Sequence, residues 1–255
     1  MNKIFLSVVI PAYNEEYNLR TGVLDGINDY LREQDYRWEV IVVDDGSVDR
    51  TGAIVENFIR KHKNFRLIKN PHMGKGGSVI TGMLAAKGEV VLFTDMDQAT
   101  PIDQIEKLLP KLVGAVPAGR QGFDIAIGSR AGREGAPLIR KLMAYGFSLL
   151  RLLILRLPFR DTQCGFKLFK REAARKIFGK MQIFNEKMRA SGASVSAGFD
   201  LEILYLARKL SLKVAEVPVD WHHKEGTKVN PIKDSWEGLR DLLRIRLNAL
   251  LGKYR

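Results

Sequence analysis

The chain has 255 residues, 45% hydrophobic and 27% charged, with 41 Lys+Arg against 29 Asp+Glu and a net charge of +12. This mix suits one domain with a sizeable core and excludes general disorder. A single cysteine, Cys164, excludes an internal disulfide framework and a cysteine-cluster metal site and fits a reducing compartment, while four histidines (His62, His72, His222, His223) leave little room for a multi-histidine centre.

The first half alternates strand and helix. Residues 5–10 are an apolar, β-rich run ended by Pro11. A helix is expected over 14–33, with Asn14 as N-cap and Glu15 and Glu16 in its first turn. A second strand follows over 38–43 and stops at Asp44-Asp45-Gly46-Ser47. Asp49 can cap a helix running to about residue 62. Strand 65–69, a helix opened by Gly74-Lys75-Gly76-Gly77-Ser78 and running to 86, and strand 89–94 come next. That last strand ends in Asp95-Met96-Asp97. Continuous apolar strands separated by helices imply a mostly parallel sheet covered on both faces, an α/β fold.

A further helix runs from Asp103 to 113. Residues 114–122, rich in Gly and Pro, read as a surface loop, and strand 123–128 closes the half. Beyond 130 the pattern shifts to longer basic helices, with a helix at 199–210, a strand at 213–219 and an amphipathic helix at 232–251. Residues 1–129 sum to a net −2 and residues 130–255 to +14, so an anionic partner belongs with the second half. The reading is one domain over 1–255, with a nucleotide-type half (1–129) and a basic, acceptor-type half (130–255). No segment reads as a signal peptide, and no run of about 18 apolar residues is uninterrupted.

Ligands of a parallel sheet bind beyond the carboxyl ends of its strands. Three such ends are acidic or polar: Tyr13-Asn14-Glu15, Asp44-Asp45 and Asp95-Met96-Asp97. A rim this negative calls for a cation or hydrogen-bond donors, and two aspartates at i and i+2 can serve a divalent ion and a diphosphate together. The place of a dinucleotide fingerprint holds Pro11-Ala12-Tyr13-Asn14-Glu15-Glu16, without glycine, and the 74–78 loop lacks P-loop spacing. Its glycines still allow backbone N–H groups to approach a phosphate.

Four stretches, Ser7 to Glu16, Val42-Val43-Asp44-Asp45-Gly46-Ser47, Gly74-Lys75-Gly76-Gly77 and Phe93-Thr94-Asp95-Met96-Asp97, resemble the inverting family 2 glycosyltransferases of GT-A fold. Gly128-Ser129-Arg130, Asp161-Thr162-Gln163-Cys164-Gly165-Phe166-Lys167-Leu168-Phe169, Phe199-Asp200-Leu201-Glu202, Glu216 to Trp221 and Gly226-Thr227-Lys228 narrow this. They resemble the dolichyl-phosphate β-glucosyltransferases and their polyprenyl-phosphate relatives over nearly the whole chain.

The resemblance implies a donor site in which Pro11, Tyr13, Glu15 and Asp44 cradle the nucleoside. Lys75 and Met96 lie on the nucleotide-sugar side, Asp95 and Asp97 hold Mg²⁺ or Mn²⁺ against the diphosphate, and Lys228 closes over it. Arg130 and Arg140 receive the lipid phosphate. Asp97 counts with Asp161 as catalytic, Asp161 as base or as positioning group. Two residues depart from the family pattern. Met96 stands where many relatives have alanine and is expected to crowd the sugar. Gln98 is one residue after Asp97, not two, so no third metal ligand is expected from it. The 182–198 region also looks long for the family.

The implied reaction moves a hexose, glucose favoured, from UDP-glucose to dolichyl or polyprenyl phosphate with inversion. Mannose from GDP-mannose, or a polysaccharide or protein hydroxyl as acceptor, stays open. A phosphate monoester has a second pKa of about 6 and needs little base help near pH 7, but an arginine fork holds it well. Residues 139–160 and 239–251 mix apolar and basic side chains at helical spacing, as helices lying in a membrane interface do. The expected setting is therefore cytoplasmic and peripheral to a membrane. A basic module binding nucleic acid would want interleaved surface aromatics, which this chain lacks.

Overall fold

A computed structural model of the chain describes residues 3–113, 122–130, 138–182, 197–222 and 231–254; over 138–145, 197 and 231–235 it describes the backbone alone. In chain order the elements are β1 (Leu6–Ala12), α1 (Glu16–Arg20), α2 (Val23–Arg32), β2 (Trp38–Asp44), α3 (Thr51–Lys61), β3 (Phe65–Lys69), α4 (Gly74–Ala85), β4 (Val90–Phe93), α5 (Ile105–Val113), β5 (Ile125–Arg130), α6 (Leu138–Leu155), β6 (Lys167–Lys170), α7 (Arg171–Phe178), α8 (Ala197–Lys209), β7 (Val214–Val219) and α9 (Pro231–Leu250).

One seven-stranded sheet takes the order β3-β2-β1-β4-β6-β5-β7. Among the described strands only β6 runs against its neighbours β4 and β5; the pairs β1–β2, β1–β4, β2–β3 and β5–β7 are parallel. Alternate side chains of the fully buried strands sort to opposite faces. Val9, Ile41, Val43, Val91 and Phe93 join a core with α4, α7, α8 and α9. Leu6, Val8, Ile10, Val40, Val42 and Leu92 join a second core with α2, α3 and α5. Helix α4 lies close on its face because Gly82 has no side chain: a Cβ there would run into Val9 and reach within 3.0 Å of Val43.

Pro11 does not end β1 but lies within it, paired in register with Val43. Val9 O accepts the Thr94 N–H, so Val9 and Pro11 turn their backbone groups toward β4. That strand's pairing stops at Phe93, opposite Val9, so the N–H that proline lacks has no ladder partner to miss.

The expected helix over 14–33 is broken in two at Thr21-Gly22, where Gly22 adopts φ 82°. Asn14 is not its N-cap. It sits at φ 56°, and its side-chain oxygen accepts the Val48 N–H at 3.0 Å. Asp49 does serve helix starts: one oxygen accepts the Thr51 N–H (2.9 Å) and the other the Glu16 N–H (3.2 Å). Strand β6 carries no sequence expectation. At four residues, inside a motif read for its chemistry, it offers no alternation to see.

Helices α6 and α9 pack against each other, and a Cβ on Gly238 would meet the Phe147 ring at 2.9 Å. Away from that contact, α6 exposes Leu149, Leu150, Leu152 and Leu153, while α9 and the turn after it expose Trp236, Leu243, Leu247, Leu250 and Leu251. Arg151, in the middle of α6, is instead buried. It donates to Ser148 Oγ, Thr162 Oγ1 and the Phe159 carbonyl, tying α6 to the segment before β6. Among the described residues no helix is long and apolar enough to cross a membrane. The loop expected at 114–122 and the long region at 182–198 lie mostly outside the described residues.

Candidate active site

The carboxyl ends of β1, β2, β4, β5 and β7 deliver Tyr13, Asp45, Asp95, Arg130 and Trp221 to one rim of the sheet. Because β6 is reversed, the segment 161–166 that leads into it arrives at the same rim.

Asp45 organises one side. It is 2% exposed and its carboxylate accepts N–H groups from Met73 (2.9 Å) and Gly74 (2.7 Å) and the Ser78 hydroxyl (2.8 Å), with His72 Nδ1 at 2.8 Å. One buried carboxylate thus shapes the glycine-rich turn, where Gly74 takes φ 80°. The His72 ring stacks on Tyr13 with centroids 4.2 Å apart and planes 15° from parallel. Asp44 accepts the Ser47 N–H at 2.9 Å and fills the space that Gly52 leaves, where a Cβ would come within 2.9 Å of its Oδ2. Pro11 is buried within β1.

At the end of β4, Lys75 Nζ lies 2.6 Å from Asp95 Oδ1. Burial works against the Lys75 charge, but the charges of Asp95, Asp200 and Asp97 outweigh it and raise its pKa. Glu15 is pushed up by burial and by the negative charges of Asp97 and Asp95, against a bond from Asn18. Asp97 accepts the Ala99 N–H at 2.9 Å. Gly165 leaves room for the Asp95 carboxylate, which a Cβ there would strike. Gln98, at φ 48°, donates to the Asp95 carbonyl (2.8 Å) and to Thr94 Oγ1 (3.2 Å), bracing the turn. Met96 is 2% exposed and packs in the second core, so its side chain supports the strand end from below and does not crowd the rim.

On the opposite side, Arg130 grips Asp161 through Nε (2.6 Å to Oδ2) and Nη2 (2.9 Å to Oδ1), and its own N–H adds a bond at 3.1 Å. Burial would raise the Asp161 pKa, but these bonds and the Arg130 charge hold it at about 2. Glu216 of β7 accepts the Arg160 and Asp161 N–H groups, fixing the backbone beneath. The Arg130 guanidinium lies over the Trp221 ring, 5.7 Å from its centroid. Arg140 falls in α6 where only the backbone is described, and Lys228 lies outside the described residues.

Three residues of this neighbourhood had no role assigned from sequence. Asp200, at the start of α8, contributes negative charge to both Lys75 and Arg130. Lys167, fully buried, holds Asp200 Oδ1 and the Cys164 carbonyl at 2.5 Å each, over the Phe93 ring. His72 is the third. Asp200 and Lys167 sat inside quoted motifs, but a pairing 33 residues apart leaves no mark in spacing; His72 precedes the glycine run with no sequence partner nearby.

Residues 7–178 match the family model for glycosyl transferase family 2. The chain is 36% identical to the dolichyl-phosphate beta-glucosyltransferase of Dictyostelium discoideum, over 99% of this chain and 77% of that protein. It is 38% identical to the protein of the same name from Drosophila melanogaster, over 98% and 77%. Among solved structures it resembles glucosyl-3-phosphoglycerate synthase from Mycobacterium tuberculosis, crystallised with Mn²⁺, UDP and glucosyl-3-phosphoglycerate. That likeness has a TM-score of 0.61 and 21% identity, covers 95% of this chain and 80% of that one, and shows the shared fold. With the family match spanning most of the chain and relatives at 36% and 38% identity over nearly all of it, the chain belongs to glycosyl transferase family 2 and is a glycosyltransferase.

Proposed function

We propose that this enzyme transfers glucose from UDP-glucose to dolichyl or polyprenyl phosphate with inversion. The observation that carries the reading is two charged assemblies on one rim, Lys75, Asp95 and Asp97 at the end of β4 and the Arg130–Asp161 fork at the end of β5, with Asp200 adding charge to both. The names of the relatives at 36% and 38% identity support glucose as the sugar and dolichyl phosphate as the acceptor.

Asp95 and Asp97 fit a divalent cation such as Mg²⁺ or Mn²⁺. Both offer hard oxygen ligands, the Asp95 side chain is 34% exposed where it rests against Gly165, and a lysine ammonium already pairs with it. Among the described residues no third His, Cys, Asp or Glu completes a cluster, which suits an ion that takes its other ligands from a diphosphate and water. Bound there, the cation neutralises charge that builds on the departing diphosphate.

The chain's own residues do the rest. Tyr13, His72 and Asp44 form the nucleoside wall, and Lys75 supplies positive charge beside the diphosphate. Asp161 orients Arg130 and takes no proton: a carboxylate held at about 2 is a poor base near neutral pH, and a phosphate dianion needs none. Asp200, fixed by Lys167, adds negative charge that favours the Lys75 and Arg130 cations. Lys228 and Arg140 keep the donor-closing and lipid-phosphate roles that the family resemblance implies. The exposed leucines of α6 and α9, beside the basic second half, seat the enzyme on an anionic membrane surface where its lipid acceptor resides.

The test is transfer of labelled glucose from UDP-glucose to a polyprenyl phosphate with Mn²⁺ or Mg²⁺. A lipid-linked, phosphatase-resistant glucose is expected. Transfer from GDP-mannose in preference, or only to a sugar hydroxyl, rejects the reading.

A further inference from the structure

Trp221 follows β7 by two residues and is 40% exposed, a large apolar ring left at the edge of the site. Its neighbours in sequence are pinned. The Asp220 N–H donates to Gln104 Oε1 (3.0 Å), the Asp220 carboxylate pairs with Lys107 (3.0 Å), and the His222 N–H donates to the Ala99 carbonyl (2.7 Å). Ala99 is the residue whose own N–H is held by Asp97. The Trp221 backbone is therefore anchored to the turn that carries the aspartate pair.

The ring of Trp221 covers the Arg130 guanidinium, while Asp161 occupies Nε and Nη2 along one edge of that plane. A guanidinium held along one edge by a carboxylate, with its cationic carbon over an aromatic ring, has its orientation set before any ligand arrives. Its remaining edge, with Nη1, is where an incoming phosphate oxygen finds donors. The Trp221 ring is 40% exposed and apolar beside the guanidinium, so a phosphate bound to Arg130 whose next atoms are hydrocarbon gains a contact that a hydrophilic phosphate does not.

We infer that Trp221 is an acceptor-recognition residue. It positions Arg130 through a cation–π contact and selects a phosphate monoester carried on a hydrocarbon chain. This rests on the lipid-phosphate reading above and deepens it.

The test compares wild type, Trp221→Ala and Trp221→Phe with UDP-glucose, Mn²⁺ and a short-chain polyprenyl phosphate, alongside calorimetry of UDP and Mn²⁺ binding. For Trp221→Ala the acceptor KM is expected to rise about tenfold or more, with kcat within about threefold of wild type and UDP affinity unchanged; Trp221→Phe is expected to recover most of the KM. An acceptor KM unmoved in the alanine variant, or a loss confined to kcat or to UDP affinity, overturns the inference. Unchanged UDP affinity also certifies that each variant is folded. If wild type binds UDP with Mn²⁺ but glucosylates no polyprenyl phosphate, the functional reading fails and this inference falls with it. If wild type transfers and Trp221→Ala matches it, only this inference falls.

Discussion

The Lys75 ammonium stands 2.6 Å from the Asp95 carboxylate, so the first turn of α4 is tied by charge to the end of β4. Asp95 is the partner both of that lysine and of the proposed divalent ion. Replacing it by asparagine keeps the shape and removes the charge. Turnover of Asp95→Asn is expected to fall by about 10²–10³, a loss of the size seen when a preorganised electrostatic group is removed. Calorimetry is expected to show UDP binding that no longer strengthens when Mn²⁺ is added. Metal-stimulated binding retained in full removes Asp95 from the site.

Asp161→Asn separates a positioning group from a base. With a dianionic acceptor the variant is expected to raise the acceptor KM about tenfold and to keep an acidic limb near pH 6, set by the acceptor's own second ionisation. A variant that is dead at every pH would instead assign Asp161 to proton abstraction and favour a hydroxyl acceptor.

The same carboxylate makes stability depend on acid. Its pKa is about 2 in the fold, against about 3.9 in an unfolded chain. Because the folded value is the lower one, its contribution is complete above about pH 4 and is lost as pH falls through 2, on the order of 2 kcal/mol in all. Urea unfolding of wild type and Asp161→Asn should differ most at pH 5–7 and converge toward pH 2. A difference that stays constant from pH 6 to pH 2 contradicts an ion pair of this kind.

Gly82→Ala tests the seat of α4 on the sheet. The added methyl meets Val9 and Val43, both fully buried, with no space to give. Overpacking of this type costs about 1–3 kcal/mol, more than the usual gain in helix propensity returns. A Tm lower by roughly 2–10 °C is expected by calorimetry. An unchanged or higher Tm would show that the helix can lift away freely.

Membrane docking is tested on the exposed leucines. Leu149→Gln with Leu153→Gln on α6, or Leu247→Gln with Leu250→Gln on α9, should reduce co-sedimentation with vesicles containing an anionic phospholipid while leaving UDP affinity intact. Equal sedimentation of all variants would place the contact elsewhere.

Much of the nucleotide half was legible because its signals are local. Buried parallel strands are unbroken apolar runs, and their ends were marked by Asp44-Asp45 and Asp95-Met96-Asp97. What misled was local as well: Asn14 looked like a cap, yet its carboxamide serves Val48 across the rim, and the amphipathic run 14–33 hid a break at Gly22. Met96 was read as crowding the sugar because it stands where many relatives have alanine, although alternation after a strand turns it into the core. The second half was less legible. Strand β6 is too short to show a period, and the Arg130–Asp161 and Lys167–Asp200 pairs join residues 31 and 33 apart, which only the folded chain brings together.

The lone reversed strand has an architectural corollary. It brings the 161–166 segment, with Asp161, back to the rim formed by the carboxyl ends of the parallel strands, beside Arg130 at the end of β5. Exchanging 156–170 between relatives is thus a compact graft of one central ribbon and its approach: it leaves the Asp45-shaped turn untouched, provided that the glycine beside Asp95 and the aspartate that Arg130 grips are kept.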